Sequence, residues 1–276
     1  MTQPEKPSIL KWHVHLRKFA FDRLGRGQKN YVKYIILARS RTGSNLLRGL
    51  LNAHSQIDAY GEVFRDADSI DWDHIGRCQS AKALKLWQHA PIEFLETQLF
   101  GKYPKKIAAV GFKLFYYHGQ EENWSSVWPY LEDQSNLKVI HIKRRNILET
   151  HLSRKRAEMT AEWVNVTGAQ EKQKPHSFLL DYDECLADFE RTRAWETDYD
   201  ARFAHHPLLE VGYEDLAKDH ETEMARAFDF LGVHQEAVHP TTYKQAQRTL
   251  SQRIINYDEL KKQFLGSPWE TFFEEP

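Results

Sequence analysis

Arg41, Thr42, Gly43, Ser44 and Asn45 stand in an unbroken row just after the apolar run Tyr34-Ile35-Ile36-Leu37-Ala38. A second basic row, Lys143-Arg144-Arg145-Asn146, follows another apolar run, Lys138-Val139-Ile140-His141-Ile142. Both rows have the chemistry of a tetrahedral-anion site. Gly lets the backbone approach a ligand closely, Arg brings a permanent charge and a planar fork of donors, and Ser, Thr and Asn add short donors. The apolar pattern resumes at Leu46, so the row after Ala38 reads as strand, loop and helix, and the first amides of that helix have no internal partner. Such amides favour a phosphate or a sulfate.

The spacing narrows the choice. A nucleotide-triphosphate loop needs an early Gly and a Gly-Lys-Ser/Thr ending, and this chain has Gly43-Ser44-Asn45, with neither the Lys nor the magnesium-binding hydroxyl in place. After Arg145-Asn146, six residues intervene before Ser153, and two helical turns return that Ser to the face near the Arg, where the pair can hold one phosphate.

With these residues in view, the row Arg41 to Asn45 resembles the 5′-phosphosulfate loop of sulfotransferases, in the Arg-Ser/Thr-Gly-Ser form of carbohydrate and bacterial members. Arg145, Asn146 and Ser153 resemble the 3′-phosphate site of the same family. Leu209-Glu210-Val211-Gly212-Tyr213-Glu214-Asp215-Leu216, the segment Glu223 to Phe230 and Leu231-Gly232 are similar to the family's strand, Tyr-Glu-Asp-Leu, helix and Phe-Leu-Gly series. In that series Tyr213 and Leu216 read as packing, and Glu214 or Asp215 as a cap or a partner for a basic residue. The stretches Leu250 to Leu260 and Gly266-Ser267-Pro268-Trp269 resemble the ending of bacterial members that act on glycolipids and related sugars. The resemblance spans about Tyr31 to Trp269.

What the resemblance implies is a PAPS donor (3′-phosphoadenosine 5′-phosphosulfate) held by Arg41, Thr42, Gly43, Ser44, Asn45, Arg145 and Ser153, and a carbohydrate or glycolipid hydroxyl as acceptor. Arg41 is the choice for stabilising the leaving group, by electrostatics because Arg keeps its proton. No metal is implied, and no Asp stands at either strand end to hold magnesium. Glu62, in Gly61-Glu62-Val63-Phe64, matches a Gly-Glu-x-Phe element whose Glu contacts the sugar hydroxyl in the relatives, and a carboxylate can take that proton if burial raises its pKa. Lys113, in Gly111-Phe112-Lys113-Leu114, is placed to touch the sulfuryl group or the donor, and His118 is the reserve base. His54 reads as part of a helix end. Two other readings stay open: a P-loop-type nucleotide kinase, and a non-catalytic nucleotide-binding or membrane-associated module of the same fold. The joint presence of Arg41, Arg145, Ser153 and Glu62 counts against the second.

The elements that must position these residues are short apolar strands, Tyr34 to Ala38, Ala109 to Phe115, Lys138 to Ile142 and Leu208 to Val211, with helical patterns between them. That alternation predicts an α/β fold, a P-loop-like parallel sheet flanked by helices, with ligands beyond the carboxyl ends of the strands. Tyr182, Leu186, Phe189, Tyr199 and Phe203 recur at helical spacing and read as core. Arg154 to Pro175 has little periodicity and reads as an acceptor-facing loop.

The length of 276 residues suits one sulfotransferase-like domain over residues 31–276 after a basic amphipathic extension, 1–30. Lys plus Arg, 38, nearly balance Asp plus Glu, 39, which gives no argument for a nucleic-acid partner. Cys78 and Cys185 are too few for a disulfide scaffold, and the 14 His show no zinc spacing. No run is long enough to span a bilayer and the N-terminal stretch lacks the apolar core of a signal peptide, so a cytoplasmic protein is expected and the Asn165-Val166-Thr167 triplet is read as a coincidence. Residues 9–24 interleave Ile9, Trp12, Leu16, Phe19 and Leu24 with Lys11, Arg17, Lys18 and Arg23, a pattern suited either to packing or to peripheral contact with an anionic membrane.

Overall fold

The computed structural model describes residues 27–66, 68–74, 79–160, 177–240 and 248–274. Residues 9–24, Cys78, the Asn165-Val166-Thr167 triplet and residues 161–175 of the expected loop lie outside them.

The strands are β1 (Val32–Ala38), β2 (Ile57–Tyr60), β3 (Ala109–Phe115), β4 (Lys138–Lys143) and β5 (Leu208–Gly212). They form one sheet in the order β2-β3-β1-β4-β5, with every neighbouring pair parallel. Parallel strands need crossover segments, which here run through helices α1 (Ser44–Ala53), α2 (Ala81–His89), α3 (Val127–Glu132), α4 (Ile147–Thr160) and α5 (Tyr182–Arg202). After β5 come α6 (Tyr213–Lys218) and α7 (His220–Leu231). Because the chain leaves β1 toward β2 on one side and takes β4 on the other, β1 lies at the switch point of the sheet, where ligand crevices of open α/β sheets form.

Side chains alternate across a strand, and a parallel sheet is covered on both faces, so β1 is apolar throughout. Ile35 and Leu37 join one core with Phe112, Trp87, Phe94 and Trp124, while Tyr34, Ile36 and Ala38 join another with Leu47, Leu50, Leu51, Phe228 and Leu231. A third cluster, built on Leu148, Leu152, Phe189, Phe264 and Phe273, binds α4 and α5 to the C-terminal segment. No helix among the described residues is long and apolar enough to cross a membrane.

Two features differ from the sequence expectation. β2 is a strand that composition does not announce: Ile57-Asp58-Ala59-Tyr60 is only four residues long and carries an Asp. Tertiary pairing creates it, with β3 on one side and, on the other, the side-chain amide of Asn52, which donates to the Ala59 carbonyl at 2.6 Å and accepts from its amide at 2.7 Å. Arg154 to Thr160 continues α4 instead of opening a loop. Its Arg, Lys, Ala, Glu and Met are strong helix formers even without an apolar stripe.

Gly43 shows why one loop position admits no side chain. It sits at φ 90°, and a Cβ there would lie 2.3 Å from the Tyr213 ring. Gly232, the left-handed cap of α7 at φ 75°, faces open space. Gly232→Ala is therefore expected to cost only the backbone strain, about 1 kcal/mol, and Gly43→Ala roughly 3 kcal/mol or more because the Tyr213 ring must also move. Urea unfolding of both variants checks this as a difference in midpoint at unchanged slope.

Candidate active site

The loop from Arg39 to Gly43 leaves the buried end of β1 and turns sharply into α1. Arg41 takes a left-handed conformation at φ 70°, rare for a residue other than Gly, and Gly43 follows at φ 90°. Gly43 is also the N-cap of α1, with no side-chain cap and no acidic residue in the first turn, so the opening amides are left for an anion. The Thr42 hydroxyl donates to the Arg39 carbonyl at 2.8 Å, and buried Thr42 thereby shapes the loop from within.

Arg39 anchors the base of this loop. Its guanidinium is buried against Asp188 of α5, with Nη2 2.5 Å from Oδ1, and also donates to Thr192. Asp188 further accepts from Arg154 and faces His151 at 3.2 Å, both on α4, and pairs with Arg191 at 2.8 Å. Burial alone would raise the pKa of this carboxyl, but hydrogen bonds from His151 and Arg39 and the charge of Arg154 hold it far below the usual carboxylate range.

Arg41 reaches across to α4, where its Nε donates to Ser153 Oγ at 2.9 Å. The structure thus brings the two sequence-predicted phosphate elements together, through Arg41 and Ser153. Arg144 approaches the same loop, donating to the Arg41 carbonyl at 3.3 Å and lying 4.4 Å over the Tyr213 ring. In the sequence, Arg144 is marked only by its place in the Lys143-Arg144-Arg145 run. Desolvation first, then the charges of Arg144 and Arg156, pull Arg41 down to about 10, so it remains a cation at neutral pH in a cluster of like charges. Such a cluster favours an anion.

Arg145 is placed differently. It is exposed and grips Asp215 with two bonds of 2.7 and 2.9 Å, while its amide and that of Asn146 donate to Glu214 at 3.1 and 3.3 Å. Glu214 therefore caps the start of α4 and Asp215 pairs with Arg145. Arg145 also lines a cavity of about 350 Å³ with Asn146, Arg193, Trp269, Thr271 and Phe272.

Glu62, Lys113 and His118 form a second group on the other side of the loop. Lys113 pairs with Ile36 in register and shares the α1 face of the sheet, so its buried ammonium donates to Asn45 in the first turn of α1. The same ammonium lies 2.7 Å from Glu62 Oε1. Glu62 follows the β2 edge, where the Gly61 carbonyl accepts from the Lys113 amide at 3.2 Å and extends the pairing past Tyr60. Burial lowers the Lys113 pKa, and the Glu62 charge opposes that. His118 stands with Nε2 3.7 Å from Glu62 Oε2, and its Nδ1 accepts from the Phe115 amide at 3.3 Å. That bond assigns the proton of the neutral ring to Nε2, so His118 presents a donor to Glu62, not a lone pair to a substrate. His54 caps the C-terminal end of α1, with Nδ1 accepting from the Gln56 amide and Nε2 on the His234 carbonyl.

Burial takes His118 down from its ordinary 6.5 to about 4, with Lys113 adding to the effect and Glu62 opposing it. The folded state then refuses a proton that the unfolded state accepts, so the contribution of His118 is fully present above pH 6.5 and falls between pH 6.5 and about 4. At about 1.4 kcal/mol per unit, up to ~3 kcal/mol is lost over that window. His118→Gln has no such titration. The stability difference between wild type and His118→Gln, from chemical unfolding at several pH values, is expected to shrink by that amount as the pH falls.

The likeness to known proteins extends over the stretch that holds these residues. The model of the sulfotransferase family matches residues 34–237, from β1 past the end of α7. The chain is 30% identical over 246 residues to nodulation protein H of Rhizobium tropici, covering 87% of this chain and 92% of that protein. It is 29% identical over 247 residues to nodulation protein H of Rhizobium meliloti (strain 1021), covering 87% and 94%. A crystal structure of a sulfotransferase from Alicyclobacillus acidocaldarius aligns over 84% of this chain and 91% of its own at 14% identity and a TM-score of 0.46. The span matched by the family model contains the loop of Arg41, Glu62 and the segment from Arg145 to Ser153, and the chain belongs to the sulfotransferase family.

Proposed function

We propose that the chain moves a sulfuryl group from PAPS to a hydroxyl of a carbohydrate or glycolipid. The observation that carries this reading is the meeting of an anion-binding loop and a carboxylate through one buried ammonium: Lys113 touches both Asn45 at the start of α1 and Glu62 beyond β2. The 5′-phosphosulfate lies along the loop amides and Arg41, and the 3′-phosphate goes to Arg145, which exchanges Asp215 for it, and Ser153. The cavity beside Arg145, with Trp269 and Phe272 in its wall, suits the attached nucleoside.

In the transfer, the acceptor O–H gives its proton to Glu62 as its oxygen bonds to sulfur. The bond from sulfur to the bridging phosphate oxygen breaks in line, and adenosine 3′,5′-bisphosphate leaves with that electron pair. Charge grows on the leaving oxygen, where Arg41, the helix amides and Lys113 offset it; fixed donors of this kind are worth most in a site that excludes water. Glu62 is the base and not His118, because the His118 lone pair is engaged by the Phe115 amide. The carbohydrate acceptor is supported by the Arg-Thr-Gly-Ser form of the loop and by the Gly61-Glu62-Val63-Phe64 element.

Two outcomes are expected. Adenosine 3′,5′-bisphosphate should raise the melting temperature of the wild type more than adenosine 5′-phosphate does, and Arg145→Ala should remove most of that difference; equal shifts in the wild type would refute the 3′-phosphate assignment. Glu62→Gln keeps the shape but cannot take the hydroxyl proton, so turnover with PAPS and a saturating sugar acceptor should fall roughly 100-fold or more while bisphosphate affinity stays nearly constant. Near-normal turnover would remove Glu62 from the mechanism.

A further inference from the structure

Tyr117 stands two residues past the end of β3, between the two halves of the site. Its phenol lies beside Ser40 of the anion-binding loop and within the field of Glu62. Burial of that end and the Glu62 charge push the phenol up, so it is neutral and protonated at working pH. The residue is nevertheless 40% exposed, the only aromatic among the exposed large apolar side chains of the described residues. A lone exposed aromatic is ordinary on a surface. This one is at the mouth of a site, and its ring is held by neighbours on the protein side: His118 at 5.1 Å and Phe115 and Trp195 each at 5.8 Å between centroids. Trp195 already carries the guanidinium groups of Arg39 at 5.3 Å and Arg191 at 5.6 Å. Tyr117 therefore offers a fixed aromatic surface beside the carboxylate, at little further cost in side-chain freedom on binding.

A pyranose ring has a flat face of C–H groups and a rim of hydroxyls. An aromatic platform with one polar group at its edge matches that division, because the face gains dispersion contacts while the rim is read by the polar group. We propose that Tyr117 is an acceptor-binding residue that stacks the C–H face of a neutral pyranose, holding a rim hydroxyl toward Glu62. This inference rests on the carbohydrate-acceptor reading above. It adds a specificity requirement: acceptors must present an unsubstituted pyranose face next to the hydroxyl that receives the sulfuryl group.

The test uses the full chain with PAPS and a panel of neutral glucose, galactose and N-acetylglucosamine mono- to tetrasaccharides, the saccharide sulfated best by the wild type serving as probe. Tyr117→Leu removes the ring, Tyr117→Met is a second non-aromatic variant, and Tyr117→Phe keeps the ring but drops the hydroxyl beside Ser40. The non-aromatic variants should raise the acceptor KM about 10-fold or more, and Tyr117→Phe should stay within about twofold. Affinity for adenosine 3′,5′-bisphosphate should stay within about threefold in all of them. An unchanged acceptor KM in Tyr117→Leu and Tyr117→Met would overturn the proposal. So would equal losses in Tyr117→Phe and Tyr117→Leu accompanied by weaker bisphosphate binding, since Tyr117 would then act through Ser40 on the loop. A wild type that binds the bisphosphate but sulfates no saccharide would overturn the carbohydrate reading itself, a result separable from any effect of Tyr117.

Discussion

Asp188 is the contact on which the rest of the site depends. One buried carboxylate accepts from the base of the loop through Arg39, from α4 through His151 and Arg154, and from its own helix through Arg191. Burying a lone carboxylate is expensive, and an ion pair repays desolvation only when its remaining bonding positions are filled. Here each oxygen has two partners, so the arrangement, on losing any of them, leaves part of that desolvation unmet. Its consequence is geometric: β1, α4 and α5 cannot shift separately, and Arg41 meets Ser153 because the elements that carry them share this anchor.

The site is also built on an imbalance of charge. Arg144, Arg156 and Arg154 crowd around Arg41, while Glu149 meets Arg144 and Asp188 meets Arg154. Like charges at such distances repel, and the lowered pKa of Arg41 expresses that repulsion together with its desolvation. A bound anion of any kind relieves both. The left-handed conformation of Arg41 and the lack of room for a side chain at Gly43 beside Tyr213 show that packing imposes the loop's shape.

On the opposite side of the loop the balance is reversed. Lys113 is a buried cation whose charge is met by Glu62, and it ties that carboxylate to the first turn of α1. This half is therefore held together by a single ammonium shared by two strands and a helix. Neutral His118, 3.7 Å from Glu62, and the partly exposed Tyr117 ring packed near it flank this group.

Much of this was legible in the sequence, for physical reasons. A buried parallel strand has to be apolar on both faces, so β1, β3 and β4 are visible as runs, and an anion loop has to combine Gly, Arg and hydroxyls, so Arg41 to Asn45 is visible as a row. The long helix of Tyr182–Arg202 shows itself by its aromatic spacing. The local sequence has no means of marking β2, which exists because β3 and Asn52 complete its hydrogen bonds. Nor can it mark that Asp188, 149 positions from Arg39, is the anchor of the loop. It could not choose between Arg144 and Arg145 as the neighbour of Arg41, because Asp215 claims one of them only once β5 lies beside β4. The tautomer of His118 was likewise set by the amide that folding placed against it. Residue types along the chain determined which chemistry was available, and contacts between distant segments decided which of those residues perform it, because side-chain partners are chosen by packing and not by proximity in sequence.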